Sequence, residues 1–238
     1  MTDASLSFRL AYVPGVTPAK WARTWQERRP EVPLHLDQVL AADAADAVRD
    51  GRADAALLRL PIDRTSLHAI PLYTETTVVV VPKDHLLTAA DEVSSEDLAD
   101  TVLLHPRDDT LDWPHPPGRV APHRPETTKD AVELVAAGVG VLVVPQSLAR
   151  LHHRRDLTYR PVTAGPESSV ALTWFADETS DLMEELIGIV RGRTVNSTRG
   201  RTQPPAEPKK KRPADATRAT PTGRRRTGTP NRGKRGRR

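Results

Sequence analysis

The sequence predicts an α/β fold made of two similar units, and two stretches carry that expectation. In Asp130–Pro145, DAVELVAAGVGVLVVP, the residues Val132, Val135 and Ala136 recur at helical spacing, Gly138 stands where a helix stops, and Val141–Val144 is an apolar run. A run apolar at every position reads as a strand buried on both faces, and Pro145 ends it by removing a backbone donor. The same order occurs earlier: Ala41, Ala44, Ala45 and Val48 make a helical stripe, Gly51 ends it, and Asp54–Leu58 is the strand. Helix, glycine and strand, repeated, imply parallel βαβ units with ligand crevices at the carboxyl ends of the strands.

The remaining elements follow in chain order. Leu6, Phe8, Leu10 and Tyr12 alternate with Ser7, Arg9 and Ala11, so the first strand begins almost at once, and no helix-turn-helix fits ahead of it. Pro14 and Gly15 turn the chain. Thr17 is the expected N-cap, with Pro18 at the first helical position, and Pro18, Trp21, Ala22 and Trp25 form the buried face of a helix ending near Arg29. Leu34 and Leu36 mark a second strand. The run Thr76–Val81 ends at Pro82, Ser94 with Asp97 forms a capping pair, and Val102–Leu104 is a further strand. Residues 105–125, rich in Pro, Asp and His, read as a loop. Helix and strand resume at Thr127, Leu157–Val162 and Val170–Phe175 are strands, and Leu182, Leu186 and Ile189 line a last helix.

Charge divides the chain sharply. Residues 1–190 carry 18 Lys plus Arg against 29 Asp plus Glu, a formal −11, whereas residues 191–238 carry 17 against 2, a formal +15. The basic segment has almost no large apolar residue after Val195, so its composition predicts disorder. Its basic residues are Lys209, Lys210, Lys211, Arg212, Arg224, Arg225, Arg226, Arg232, Lys234, Arg235, Arg237 and Arg238, interspersed with Pro, Thr and Gly. These imply contact with the phosphate backbone of nucleic acid. The absence of aromatic residues there argues against base stacking. The bland alternative is a solvated charge run. There is no cysteine, which excludes disulfides and thiolate metal sites. No secretory signal and no apolar run of membrane-spanning length is present, and the expected location is cytoplasmic, with nucleoid association through the tail.

With these residues in view, the pattern LAYVPGVTP…W…ERRPEVPLHL…DAVRDGRADAALLRLP…IPLYTETTVVVVPKDHLL…DLAD…ELVAAGVGVLVVPQSLA resembles the effector-binding domain of LysR-type transcriptional regulators over residues 6–190. The resemblance implies a type 2 periplasmic-binding-protein fold: two Rossmann-like α/β lobes joined by two crossover strands. On that reading lobe I spans 1–81 and 163–192, lobe II spans 82–162, and 193–238 is the disordered basic tail. The crossings are expected near Val81–Pro82 and Pro161–Thr163. The family's N-terminal winged helix-turn-helix is lacking ahead of residue 6, and His85-Leu86 stands where the family has histidine-proline.

Carried over residue by residue, the resemblance implies effector contacts at Gly15, Val16 and Thr17, at Ala41 and Asp43, at Leu60 and Pro61, at His105 and Pro106, and at Thr127 and Thr128. Thr17 and Thr128, read as helix starts, suit a carboxylate near free backbone N–H groups, although capping alone explains threonine there. Ala41 stands where the family often has a hydroxyl. The spacing of Trp21 and Trp25 fits core packing better than a ligand wall. His105, Asp108, Asp109, Asp112, His115 and His123 match no zinc spacing, His152-His153 reads as a surface run, and neither metal nor cofactor is implied. No nucleotide or nucleophile motif appears, since the glycines of GVGVLV precede a strand rather than open a helix.

The leading expectation is therefore a regulator-like sensor: a two-lobed body binding a small-molecule effector, with a tail giving non-specific DNA binding. Pairing of two copies through the lobes is expected, and membrane association is not. A module that sequesters a metabolite or acts through partner regulators is the alternative, and an enzyme on the same fold ranks last.

Overall fold

The computed structural model describes residues 6–177 and 179–193. The basic residues singled out at 209–238 lie outside the described residues. The elements are β1 (Phe8–Tyr12), α1 (Ala19–Arg28), β2 (Leu34–Gln38), α2 (Ala44–Arg49), β3 (Ala55–Leu60), β4 (Leu67–Glu75), β5 (Thr77–Pro82), β6 (Val93–Ser94), β7 (Val102–Leu104), β8 (Arg119–Val120), α3 (Thr128–Ala136), β9 (Val141–Pro145), α4 (Gln146–Leu151), β10 (Leu157–Thr163), β11 (Ser168–Phe175) and α5 (Asp181–Val190). They form a five-stranded sheet of order β2-β1-β3-β11-β4 and a six-stranded sheet of order β6-β10-β5-β9-β7-β8. We call the corresponding parts lobe I and lobe II.

Lobe I is parallel on one side and antiparallel on the other. β1 pairs in parallel with β2 and β3, as the alternation of strand and helix implies. β11 then enters antiparallel between β3 and β4, with Leu172 opposite Leu57 and Ile70. At Pro71 the β4–β11 register shifts between Val170 and Ala171, the irregularity expected where a strand residue has no N–H to donate. Its core gathers Phe8, Leu10, Trp25, Leu57, Leu58, Leu172 and Leu186, all nearly without solvent exposure.

In lobe II the Val78–Val81 run is central, and its side chains divide by parity. Val78 and Val80 join one core with Val132, Val135 and Leu142, while Val79 and Val81 join another with Leu98, Val141 and Val143. A strand with helix or loop cover on both faces buries every residue, at about 1.5–3 kcal/mol per valine or leucine, and therefore reads as continuously apolar. The motif at 130–145 folds as its sequence suggests: Gly138 adopts φ +75° after α3, and β9 runs antiparallel to β5 and parallel to β7. Gly140 has a separate reason to be glycine, because a Cβ there would collide with the Val102 carbonyl oxygen of β7.

Several details differ from the sequence expectations. All of β5 belongs to the second sheet, and β10 stays with it through Thr163. The chain thus leaves lobe I at Thr76 and returns between Ala164 and Glu167, not at Val81–Pro82 and Pro161–Thr163. The apolar run marked a buried strand but could not say in which sheet it lay. Thr17 does not cap α1: Pro18 is the N-cap, no side chain closes that end, and Ala22 N–H donates to the Pro18 carbonyl. Trp25 is fully buried, whereas Trp21 is only partly covered. The Ala41–Asp43 turn is a 3-10 helix preceding α2, and Ser94 with Asp97 closes a 3-10 turn at Glu96–Leu98. The edge strand β4 and the short α4 were not expected, and the loop at 105–125 contains the two-residue β8.

Candidate functional site

A cavity of about 570 Å³ opens where both lobes meet the crossing strands. One wall comes from the loop after β1 and from α1, through Gly15, Thr17, Lys20 and Trp21. The end of β4 and the crossing contribute Tyr73, Thr74, Glu75 and Thr76. The start of α4 in lobe II supplies Gln146, Ser147 and Arg150, and Val190 closes the side at the end of α5. The register explains the convergence: Thr77 is paired with Pro145, and Gln146 N–H donates to the Thr76 carbonyl at 2.8 Å, which fixes α4 against the crossing.

Beneath the cavity lies a buried ion pair. Arg59 on β3 and Glu75 at the end of β4 have side chains only 4% and 5% exposed, with Arg59 Nε 2.7 Å from Glu75 Oε2. Removing two charges from water is costly, so such a pair persists only when its remaining donors and lone pairs are satisfied. They are. Arg59 Nη1 donates to the Pro14 carbonyl at 3.0 Å, and Nη2 to Ser147 Oγ at 3.0 Å. Glu75 accepts from Ser168 Oγ at 3.0 Å and from the Ser147 hydroxyl. The network therefore ties the β1 loop, both crossings and α4 of the other lobe together.

Gly15 is required at this junction. It adopts φ +85°, and an added Cβ would lie 2.6 Å from Ser147 Oγ and 3.1 Å from Arg59 Nη2. Gly15→Ala is therefore expected to cost about 1–2 kcal/mol from backbone strain alone and to displace α4 from the β1 loop. Since the chain has no cysteine, cysteines placed at the exposed Asp50 in lobe I and Glu96 in lobe II would carry spin labels. A shifted label-to-label distance in Gly15→Ala is the expected result.

The residues singled out from sequence are not all brought together. Gly15 and Thr17 line the cavity, and Val16 is buried in the lobe I core. Ala41 and Asp43 lie exposed in the 3-10 turn, and Leu60-Pro61 is a cis peptide at the end of β3; none of the four lines the cavity. Thr127 caps α3 by accepting from Asp130 N–H at 3.1 Å. Thr128 is buried inside the first turn, and its hydroxyl donates to Asp108 at 2.9 Å. His105 is at the rim of a much smaller space, about 50 Å³, in lobe II between Leu103, Leu111, Trp113 and Val143. Pro106 is buried beside it and accepts from Arg124. Sequence reasoning missed Arg59, Glu75 and Ser147; the available signal was one arginine inside the otherwise apolar strand AALLRL.

His105 Nε2 stands 3.2 Å from Asp109, and no metal-holding group of three His, Cys, Asp or Glu side chains is found among the described residues. Burial pushes the Asp109 carboxyl above its ordinary value, opposed by the Leu111 N–H and by His105. A carboxyl whose pKa is raised on folding leaves stability intact below its unfolded pKa and costs stability as pH rises through the folded value. Asp109→Asn is therefore expected to raise the thermal midpoint at pH 7, with the gain vanishing near pH 3.

A family model, LysR substrate binding domain, matches residues 7–194. The chain belongs to the LysR substrate-binding-domain family. Among curated relatives, a probable hydrogen peroxide-inducible genes activator of Mycobacterium avium is 34% identical over 160 residues, covering 62% of this chain and 51% of the relative. The HTH-type transcriptional regulator CatR of Pseudomonas putida is 26% identical over 170 residues, covering 67% of this chain and 58% of the relative. This LysR-family chain thus spans about half the length of the first of these. In structure it resembles the effector-binding domain of a BenM variant (TM-score 0.67, 21% identity, 78% of this chain and 93% of the other). It also resembles the reduced OxyR regulatory domain from Pseudomonas aeruginosa (TM-score 0.62, 24% identity, 79% and 98%). At that identity these structures speak to the fold, which is the type 2 periplasmic-binding-protein fold of LysR effector-binding domains. The relatives are transcriptional regulators. No helix among the described residues is long and apolar enough to cross a membrane.

Proposed function

We propose that this LysR-family chain is the sensing part of a cytoplasmic transcriptional regulator and binds a small effector, a carboxylate, between its lobes. The observation that carries the reading is the cavity at the lobe junction, walled by both lobes and underlain by the Arg59–Glu75–Ser147 network. A ligand touching α1 and α4 together favours one lobe angle over others, and differential affinity of that kind is what lets a ligand shift a conformational equilibrium. The test is a thermal-shift screen of metabolites, in which a ligand at 100 times its dissociation constant adds about 2.7 kcal/mol of stability. Absence of any stabilising ligand across acids, amino acids and sugars defeats the reading.

The sequence contains no cysteine, so the peroxide response printed in some relatives' names would have no thiol to act on within these 238 residues. The basic segment is proposed to hold the protein on DNA without sequence preference, by phosphate contacts. If it neutralises about 6–10 phosphates, affinity falls by roughly 10³–10⁵ between 50 and 200 mM salt. A chain ending at Arg191 that binds duplex DNA as tightly as the full chain at low salt refutes this role.

Self-association through lobe I has its own support. β2 is an edge strand whose Leu36 is exposed, with Leu40 exposed just beyond it, a surface suited to a second copy or to a partner regulator. Sedimentation of Leu36→Lys against the parent chain tests it, and unchanged association removes that face from consideration.

A further inference from the structure

The charges around the cavity narrow the ligand further, on the reading that this cavity is the effector site. Three charged side chains line it: Lys20, Arg150 and Glu75. Glu75 offers no free charge, because its carboxylate is neutralised by Arg59 and bonded by Ser147 and Ser168. Lys20 and Arg150 are in no ion pair among the described residues. Arg150 makes one polar side-chain contact, Nε to Tyr159 Oη at 3.3 Å, which leaves both terminal nitrogens of its fork uncommitted. Both cations are exposed on a body with a formal charge of −11 over residues 1–190, where carboxylates are abundant.

Only Lys20 is misplaced for its own element, since Arg150 stands in the last turn of α4, where a cation suits the helix dipole. Lys20 is the second residue of α1, against the positive end of the helix dipole, and no acidic residue stands in that first turn. The two also come from different lobes, Lys20 from lobe I and Arg150 from lobe II, and they line one cavity whose third charged side chain, Glu75, is neutralised by Arg59. Around them Thr17, Thr74, Thr76 and Gln146 supply hydroxyl and amide groups, and Trp21 a partly covered ring. We infer that the site takes a small dianion, a dicarboxylate or a phosphate monoester, whose two negative charges are met by Lys20 from one lobe and Arg150 from the other. Such a ligand bridges the lobes by charge, and a monoanion or neutral molecule of the same size engages only one wall.

The test uses the full chain with named probes: succinate and malate, glycerol 3-phosphate and ethyl phosphate, and the neutral succinamide and glycerol, followed by thermal shift and calorimetric titration. At least one dianion is expected to bind, its uncharged counterpart is not, and Lys20→Gln or Arg150→Gln weakens it by about tenfold or more, as loss of a charged hydrogen bond does. The double variant should bind no probe while keeping the parent's melting temperature, since neither side chain is in an ion pair. Which pair of dianions binds separates the carboxylate from the phosphate source. Binding of succinamide as tight as succinate, or undiminished dianion binding by the double variant, overturns the dianion assignment and leaves the small-molecule reading standing. If none of these probes binds but an uncharged or cationic metabolite stabilises the protein in the wider screen, the assignment falls alone. If nothing in either set binds, both fall together.

Discussion

Arg59→Met is expected to destabilise the protein by about 3–5 kcal/mol, measured by urea unfolding. The loss comes less from the missing attraction than from what remains. Glu75 would keep its place with a side chain 5% exposed, its charge uncompensated, and Ser147 and the Pro14 carbonyl would lose their donor. A buried charge without its partner costs far more than the pair contributes over an apolar substitute. Arg59→Met combined with Glu75→Leu is accordingly expected to recover most of the stability, and the non-additivity identifies the pair as the source. The functional consequence is separate. The double variant folds but has no polar tie from β3 to α4, so its lobe-to-lobe distances should broaden even where its stability is restored. An Arg59→Met variant as stable as the parent would show that the pair does not form.

The second large effect belongs to Trp25→Ala, at about 3–5 kcal/mol. Trp25 has no exposed surface, its ring centre lies 5.0 Å from that of Phe8, and its Nε1 donates to the Val32 carbonyl at 2.9 Å. Alanine leaves a large hole and an unpaired carbonyl where the chain enters β2. Because α1 also carries Lys20 and Trp21 to the cavity wall, ligand binding should weaken along with stability. Trp21→Ala, by contrast, removes a ring that is only partly covered and should leave the urea midpoint nearly unchanged. Equal losses for the two tryptophans would mean that α1 is packed differently.

Where one element's own residues decide its structure, the sequence is legible. The Val78–Val81 run, α3 with Gly138 and the alternation in β1 each carry a complete local signal. β4 was hidden because an edge strand with a proline inside it has little apolar alternation, its identity coming from pairing with β11 nearly a hundred residues later. α4 was hidden because its six residues directly follow a proline that ends β9. The site divides in the same way. An arginine alone in AALLRL announces a buried charge needing a partner, but nothing local says that the partner is Glu75, or that a serine at the start of another lobe's helix completes the network. Thr17 and Thr128 looked like equivalent caps, yet the chain assigns that role to Pro18 in one helix and Thr127 in the other, because each cap depends on the backbone geometry entering it.

The position of β11 has a consequence for how the chain comes to be folded. Lobe II draws all its strands from one uninterrupted stretch, 77–163, whereas lobe I must wait for residues beyond 167 to fill the gap between β3 and β4. A ribosome therefore supplies every strand of lobe II while the sheet of lobe I still lacks β11. Until β11 arrives, the facing edges of β3 and β4 stay unpaired, and open edges of this kind recruit other chains. The lobe that carries Lys20 and Arg59 is thus the later one to have all its strands, although β1 precedes every strand of lobe II in the chain.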